Sequence, residues 1–96
     1  MFARITTYKS TIDKLDEANE KVEGMKPEIM SIPGIKHWIS CADEDGNCTL
    51  VAIYENKATL DAATPKAREL FGRFADYYES DPQSHIYEVL HMESND

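Results

Sequence analysis

The chain is poor in the residues that usually announce a chemistry or a compartment. It has only three histidines, His37, His85 and His91, in 96 residues, which leaves little from which to build an imidazole metal centre. It has two cysteines, Cys41 and Cys48, on either side of the loop Ala42 to Asn47. Hairpin strands could bring them together, but a chain that is not exported meets a reducing environment, so free thiols are the expectation. Glycine-rich phosphate loops, nucleophile elbows and cysteine–histidine pairs in a recognisable context are all missing. The first residues enter an alternating pattern directly, without a charged leader and apolar stretch, and no apolar run approaches the roughly 20 residues needed to cross a bilayer. A cytoplasmic location is therefore expected. Basic residues are also scarce: 10 Lys and Arg against 18 Asp and Glu give a formal charge of -8, which repels phosphate backbones and anionic lipid. Neither nucleic acid nor a membrane is expected as a partner.

What is present is a set of four strand-like runs, 1–8, 35–42, 48–55 and 85–92, each apolar on both alternating faces. Phe2 and Tyr8 oppose Ala3 and Ile5, while Ile35, Ile39 and Cys41 oppose Trp38 and Ala42. Leu50, Ala52 and Tyr54 oppose Val51 and Ile53, and Ile86, Leu90 and Met92 oppose Tyr87 and Val89. Successive side chains of a strand point to opposite sides of the sheet, so these runs need cover on both sides. The length fits one domain, 1–92, with a frayed tail at 93–96.

Two helical patterns supply one cover. Ile12, Leu15, Ala18, Val22, Met25 and Ile29 recur at three- and four-residue steps behind a capping hydroxyl at Ser10 or Thr11. Pro27 should kink or break this helix between Gly24 and Pro27, and Pro33-Gly34 ends it. Asn56 is positioned to cap a short helix over 57–63. Thr64-Pro65 then restarts it with an apolar stripe of Ala67, Leu70, Phe71, Phe74 and Tyr78. The loop Asp43 to Asn47 reads as a solvated hairpin tip at Asp45-Gly46; set on a calcium-loop template its first ligand position would be Cys41, so calcium is not expected.

The order strand, helix, strand, strand, helix, strand, with right-handed crossovers, predicts an α+β ferredoxin-like βαββαβ fold, a four-stranded antiparallel sheet with both helices on one face. The other face would be left bare. Two sheets packed face to face resolve this, so the expected partner is a second copy, a homodimer through the sheet faces.

The runs Phe2-Ala3-Arg4-Ile5, Ile32-Pro33-Gly34-Ile35, Leu50 to Asp61, Thr64-Pro65 and Ile86-Tyr87-Glu88-Val89 resemble the antibiotic biosynthesis monooxygenase family of dimeric α+β barrels. The resemblance follows element order over nearly the whole chain. It implies a cofactor-independent monooxygenase-like enzyme acting on an electron-rich aromatic or similar small molecule; the alternative is a non-catalytic dimeric ligand-binding or stress-associated protein of the same fold. Characterised members often carry a histidine where this chain has Ala62, Ala63 or Lys66. The haem-degrading members' asparagine, tryptophan and histidine fall here on Thr6, Ala63 and Gly72. No cofactor is expected.

Cofactor-free oxygenation needs an apolar pocket, an acceptor for a phenolic proton and donors for a developing oxyanion. His37, well inside a strand, is the catalytic candidate, against its plainer reading as a surface or structural residue. It shares a strand face with Cys41 four residues on, too far for both to bind one metal, and no metal site is expected. If Ala3, Ile5 and Thr7 face the helices, Arg4 and Thr6 point into the space between the two sheets. A buried arginine there needs either an anionic ligand or a carboxylate partner such as Glu55 or Glu88. Tyr54 reads as pocket wall or as interface filler. With Trp38 and Phe71, the residues Arg4, Thr6 and Tyr54 make up the expected substrate-binding set.

Overall fold

The computed structural model describes residues 1–95. Strand β1 (Phe2–Lys9) leads through a 3-10 turn (Ile12–Lys14) into helix α1 (Leu15–Met30), then β2 (Ile35–Ala42), β3 (Asn47–Tyr54), helix α2 (Lys57–Gly72), a second 3-10 turn (Ala75–Tyr77) and β4 (Gln83–Glu88). The strands form one antiparallel sheet in the order β2-β3-β1-β4. This is the ferredoxin-like βαββαβ arrangement.

Strand β4 begins two residues earlier than the alternation suggests and stops at Glu88 rather than Met92. Its partner runs out: Glu88 pairs with Phe2, and Val89 makes the last bond, its N–H donating to the Met1 carbonyl at 2.9 Å. No helix or strand is assigned from Val89 to Asn95.

Three helix expectations are corrected. Neither Ser10 nor Thr11 caps α1: the Ser10 hydroxyl instead donates to the Tyr77 carbonyl at 3.1 Å, and no side-chain cap bond forms at Thr11. Helix α1 runs unbroken through Pro27, and α2 runs unbroken through Pro65. Each proline removes one amide and crowds one carbonyl, and packing of the apolar stripe holds the helix over that gap. The apolar stripe past Phe71 does not extend α2, which ends at Gly72. Asn56 does cap α2, with a reciprocal box: its side chain accepts from the Thr59 N–H at 2.9 Å while Thr59 Oγ1 accepts from the Asn56 N–H at 3.3 Å.

The hairpin tip is organised by Asp43, whose carboxylate accepts from the Asp45 and Asn47 N–H groups, both at 2.9 Å. Gly46, at φ +87°, lies against Ser10, and a Cβ there would come within 2.7 Å of the Ser10 carbonyl. Both cysteines are free. Cys41 pairs with Thr49 while Cys48 pairs with Ala42, so the two thiols lie on opposite faces of the hairpin.

Paired residues in an antiparallel sheet share a face. Phe2, Arg4, Thr6 and Tyr8 therefore lie with Tyr54, Ala52, Leu50 and Cys48, and the helices cover this side. The buried core is Ile32, Tyr54, Leu60 and Ala63, with Phe2, Ile35, Ala52 and Leu70 against it. On the outside, Glu28 of α1 bonds Lys66 at 2.7 Å and Arg73 at 2.9 Å, locking the two helices together. The opposite face carries Ala3, Ile5, Val51, Ile53, Ile39, His37 and Tyr87 with no element over it.

Candidate functional site

A cavity of about 110 Å³ lies between the helices and the covered face of the sheet. At roughly 30 Å³ per water in the liquid that is room for about four waters, somewhat less than the cavity of about 150 Å³ that takes up benzene, so one small ring is the most it holds. Tyr8, Trp38, Tyr54, Phe71 and Phe74 are among its walls. They converge because even residues of β1 and β3, and Trp38, Ser40 and Ala42 of β2, face α1 and α2; a register shift between Ile35 and His37 brings Ile35 to this face as well, away from Ile39 and Cys41 with which alternation had grouped it. Tyr8 meets Phe71 edge to face at 6.2 Å and Tyr78 at 6.0 Å, so the aromatic end is packed rather than loose.

Arg4 is the one charged residue among the lining residues, and it is only 7% exposed. Its Nη2 donates to the Leu60 carbonyl at 3.0 Å and to Thr64 Oγ1 at 2.6 Å. Thr64 Oγ1 in turn donates to the same carbonyl at 3.3 Å. The guanidinium thus braces α2 at the Thr64-Pro65 step. Its Nη1 is buried with no hydrogen-bond partner, a state that costs about 1–3 kcal/mol for a buried donor. The Tyr54 ring lies 5.6 Å from the guanidinium carbon, within cation–π range, and Arg4 acts on the Tyr54 hydroxyl through both its charge and hydrogen bonding.

Among the described residues no lining side chain is a carboxylate or an imidazole. Burial pushes the Tyr54 hydroxyl up, with the nearby Arg4 charge opposing. Burial also pushes the Tyr8 hydroxyl far above the ordinary phenol range, with the Cys48 thiol beside it adding to the rise. The Cys48 thiol is raised too, mainly by burial, against hydrogen bonds from Tyr8 and Ser10. All three are neutral at pH 7, so Arg4 sets the electrostatics of the cavity alone. Thr6, 2% exposed, shares a hydrogen bond with Ser84 at 2.8 Å and adds a neutral polar point next to Arg4 on the same face.

Five residues singled out from sequence, Arg4, Thr6, Trp38, Tyr54 and Phe71, all line this one cavity. His37 does not. It is exposed and pairs with Ile53 on the bare face, so it lies across the sheet from the cavity. The facing of β1 is reversed from expectation: Arg4 and Thr6 point toward the helices, and Ala3, Ile5 and Thr7 toward the bare side. The core packs on this face, Tyr54 against Leu60 and Ala63 of α2, and Nη2 of Arg4 finds two acceptors on the same helix. The cross-sheet partners Glu55 and Glu88 make no ion pair with it within 4.0 Å; the hydroxyl and carbonyl of α2 take their place. Sequence reasoning missed Thr64, Tyr8 and Cys48. For Thr64 a signal existed in the Thr-Pro step, where a hydroxyl is well placed to repair a helix. For the other two there was only the register that sets them side by side. Among the described residues no group of three or more His, Cys, Asp or Glu is placed to hold a metal ion.

The architecture recurs in solved structures. A protein of unknown function from Nitrosomonas europaea superposes with a TM-score of 0.81 at 13% identity, covering 99% of this chain and 94% of its own. A second Nitrosomonas europaea protein, described as a "putative antibiotic biosynthesis monooxygenase", gives 0.75 at 21% identity over 95% of this chain and 100% of its own. This chain has the fold of the antibiotic biosynthesis monooxygenases. A further structure named for that group gives 0.75 at 14% identity over 95% and 100% of the two chains. At these identities the likeness is one of fold, and fold alone does not assign a reaction. No family model and no curated protein sequence matches the chain.

Proposed function

We propose that the chain is a small-molecule enzyme of the cofactor-independent monooxygenase kind, working on an electron-rich, single-ring hydroxylated aromatic as a homodimer. The observation that carries this reading is the cavity: an aromatic-walled space of about 110 Å³ with few polar points, in a fold shared with structures named as monooxygenases. A ring C–H para to the hydroxyl would be oxidised to a carbonyl so that the phenol leaves as a quinone, one atom of O₂ entering the product and the other leaving as water, with all four electrons drawn from the substrate. The protein's part is to exclude water and to place polar groups at the reacting oxygen.

Assembly is supported by area. The chain exposes 6408 Å², whereas a compact monomer of its mass exposes about 5,600 Å². The excess of about 800 Å² matches one partner's share of a standard interface. Ile39 and Tyr87, 49% and 52% exposed on the bare face, are what a second copy would cover.

The absence of an imidazole or carboxylate from the cavity wall favours a second reading, a binding protein that retains the ligand without turning it over. Oxygen uptake decides between them. The enzyme consumes O₂ above the buffer rate with a panel of methoxy- and hydroxy-substituted single-ring phenols; saturable binding of the same compounds without uptake would leave the binding protein.

A further inference from the structure

We infer that the cavity opens between α1 and the edge strand β2, and that its aromatic ligand enters ring first and leaves its hydroxyl at that mouth, on Ser40 and Asn19. The inference rests on the aromatic-ligand reading above and deepens it.

The place of the mouth follows from exposure. Among the described residues that line the cavity, three are exposed: Asn19 of α1, and Ser40 and Ala42 of β2. Strand β2 is an edge of the sheet, and α1 packs over it while α2 packs over β1 and β3. Lys21 and Glu28 mark the flank of α1 that is bonded to α2 and its C-cap. At roughly 100° per residue, Asn19 falls on the other flank, above the β2 edge. The inward positions of β2 run Trp38, Ser40 and Ala42, one large side chain and then two small ones, and Ala18 lines the same cavity from α1. Small residues facing one another leave the edge unfilled. A second copy on the bare face would not close this opening, which lies on the helix side of the sheet.

The orientation follows from which polar groups are free. Inside the cavity they are spent. Nη2 of Arg4 is held by Leu60 and Thr64, and its Nη1 is shut off from any accessible surface. Thr6 bonds Ser84, Ser10 donates to the Tyr77 carbonyl and Tyr78 donates to the Phe71 carbonyl. The hydroxyls of Tyr8, Tyr54 and Tyr77 are engaged by Cys48, Arg4 and Glu17. By contrast, the Asn19 amide, the Ser40 hydroxyl and the Trp38 indole N–H make no hydrogen bond within the described residues, and all three belong to α1 and β2. A ligand hydroxyl carried inward gives up its hydrogen bonds to water and finds no replacement, whereas at the mouth it keeps them. Capacity argues the same way, since a void that holds at most one small ring leaves a substituent no place but the opening. The fitting ligand is therefore a small ring that carries its polar groups at one end.

Phenol, benzene and hydroquinone, with a hydroxyl at one end, at neither and at both, test this by NMR titration. Removing both mouth partners, with Asn19→Ala and Ser40→Ala together, is expected to weaken phenol about two- to tenfold and to leave benzene unchanged. Hydroquinone, with one hydroxyl forced inward, is expected to bind the wild type about tenfold or more weakly than phenol. Ala42→Trp, which places a large side chain in the mouth, is expected to slow the exchange of both phenol and benzene about tenfold or more. All three substitutions are at exposed positions, and circular dichroism checks that each variant is folded. Phenol bound equally by the double variant and the wild type, or hydroquinone bound as tightly as phenol, overturns the orientation. Unchanged exchange in folded Ala42→Trp overturns the mouth. If neither phenol nor benzene binds saturably, the aromatic-ligand reading itself falls; if both bind and no variant alters them, that reading stands and the inference alone is overturned.

Discussion

The two faces of the sheet are made by the same four strands and do opposite things. The covered face carries Arg4, Thr6, Tyr8, Trp38 and Tyr54, large or polar side chains that meet the helices around a void. The bare face carries Ala3, Ile5, Ile39, Val51 and Ile53, small and mid-sized aliphatics that pack into a flat surface. A helix laid over uneven, partly polar side chains leaves space, whereas aliphatic rows leave none. On the proposed function, a ligand would sit under the helices and a second copy would pack on the flat side.

The strongest way to break this comparison is to truncate one tyrosine on each face. Tyr54→Ala, from a residue 1% exposed, should cost about 3–5 kcal/mol in urea unfolding. Tyr87→Ala, from a residue 52% exposed in the single chain, should change the stability of the dissociated chain, measured in the Ile39→Asp background, by no more than about 0.5 kcal/mol. Similar losses at both sites would mean that the faces are not energetically distinct.

A charge on the flat side comes next. Ile39→Asp should convert a particle of about twice 10.9 kDa into one of 10.9 kDa by light scattering at micromolar concentration, because an unpaired carboxylate does not enter an apolar interface. Helix content should be retained, since Ile39 touches neither helix face of the sheet.

Much of this was legible in the sequence because it depends on alternation. The strands, their order, the Asn56 cap and the existence of a bare face all follow from apolar periodicity and element order. Which face is bare does not follow, because both faces of β1 and β3 are apolar enough to be either. It depends on contacts distant in sequence, the packing of Tyr54 on Leu60 and Ala63 and the bonds of Arg4 to Leu60 and Thr64, 56 and 60 residues away, which no local pattern reports. His37 falls off the site by alternation itself, since Arg4, Ala52 and Trp38 are aligned on one face and Ala3, Ile53 and His37 on the other. The helix breaks anticipated at Pro27 and Pro65 failed for a related reason, since a proline's cost of about 3 kcal/mol is met by tertiary contacts that propensity does not see.

A smaller effect sharpens the outer side of the covered face. Arg73 and then Lys66 hold the Glu28 carboxyl down at about 2, from an ordinary 4.5, and Glu69 is lowered as well. A depressed folded-state value gives stability that is full above the unfolded value and drains as pH falls from about 4.5 toward about 2. Glu28→Gln should flatten the stability curve in that window, leaving the variant slightly less stable than wild type near neutrality and equal to it at low pH, the loss being small because the groups are exposed. The smallest effect expected is at His37: His37→Ala should leave the affinity for phenol unchanged within error, because the imidazole lies across the sheet. A tenfold loss would return it to the site.

The most direct test uses two neighbours in sequence. Trp38 lines the cavity and His37 lies on the bare face, so the single indole N–H and the His37 ring protons report the two sides of one strand in one NMR spectrum. The account predicts that phenol moves the Trp38 indole signal and leaves the His37 ring in place. Dissociation by dilution or by Ile39→Asp should move the His37 ring and leave the indole. A phenol that shifts His37 while sparing Trp38, or a dissociation felt at the indole alone, would contradict the assignment of ligand to the covered face and partner to the bare one.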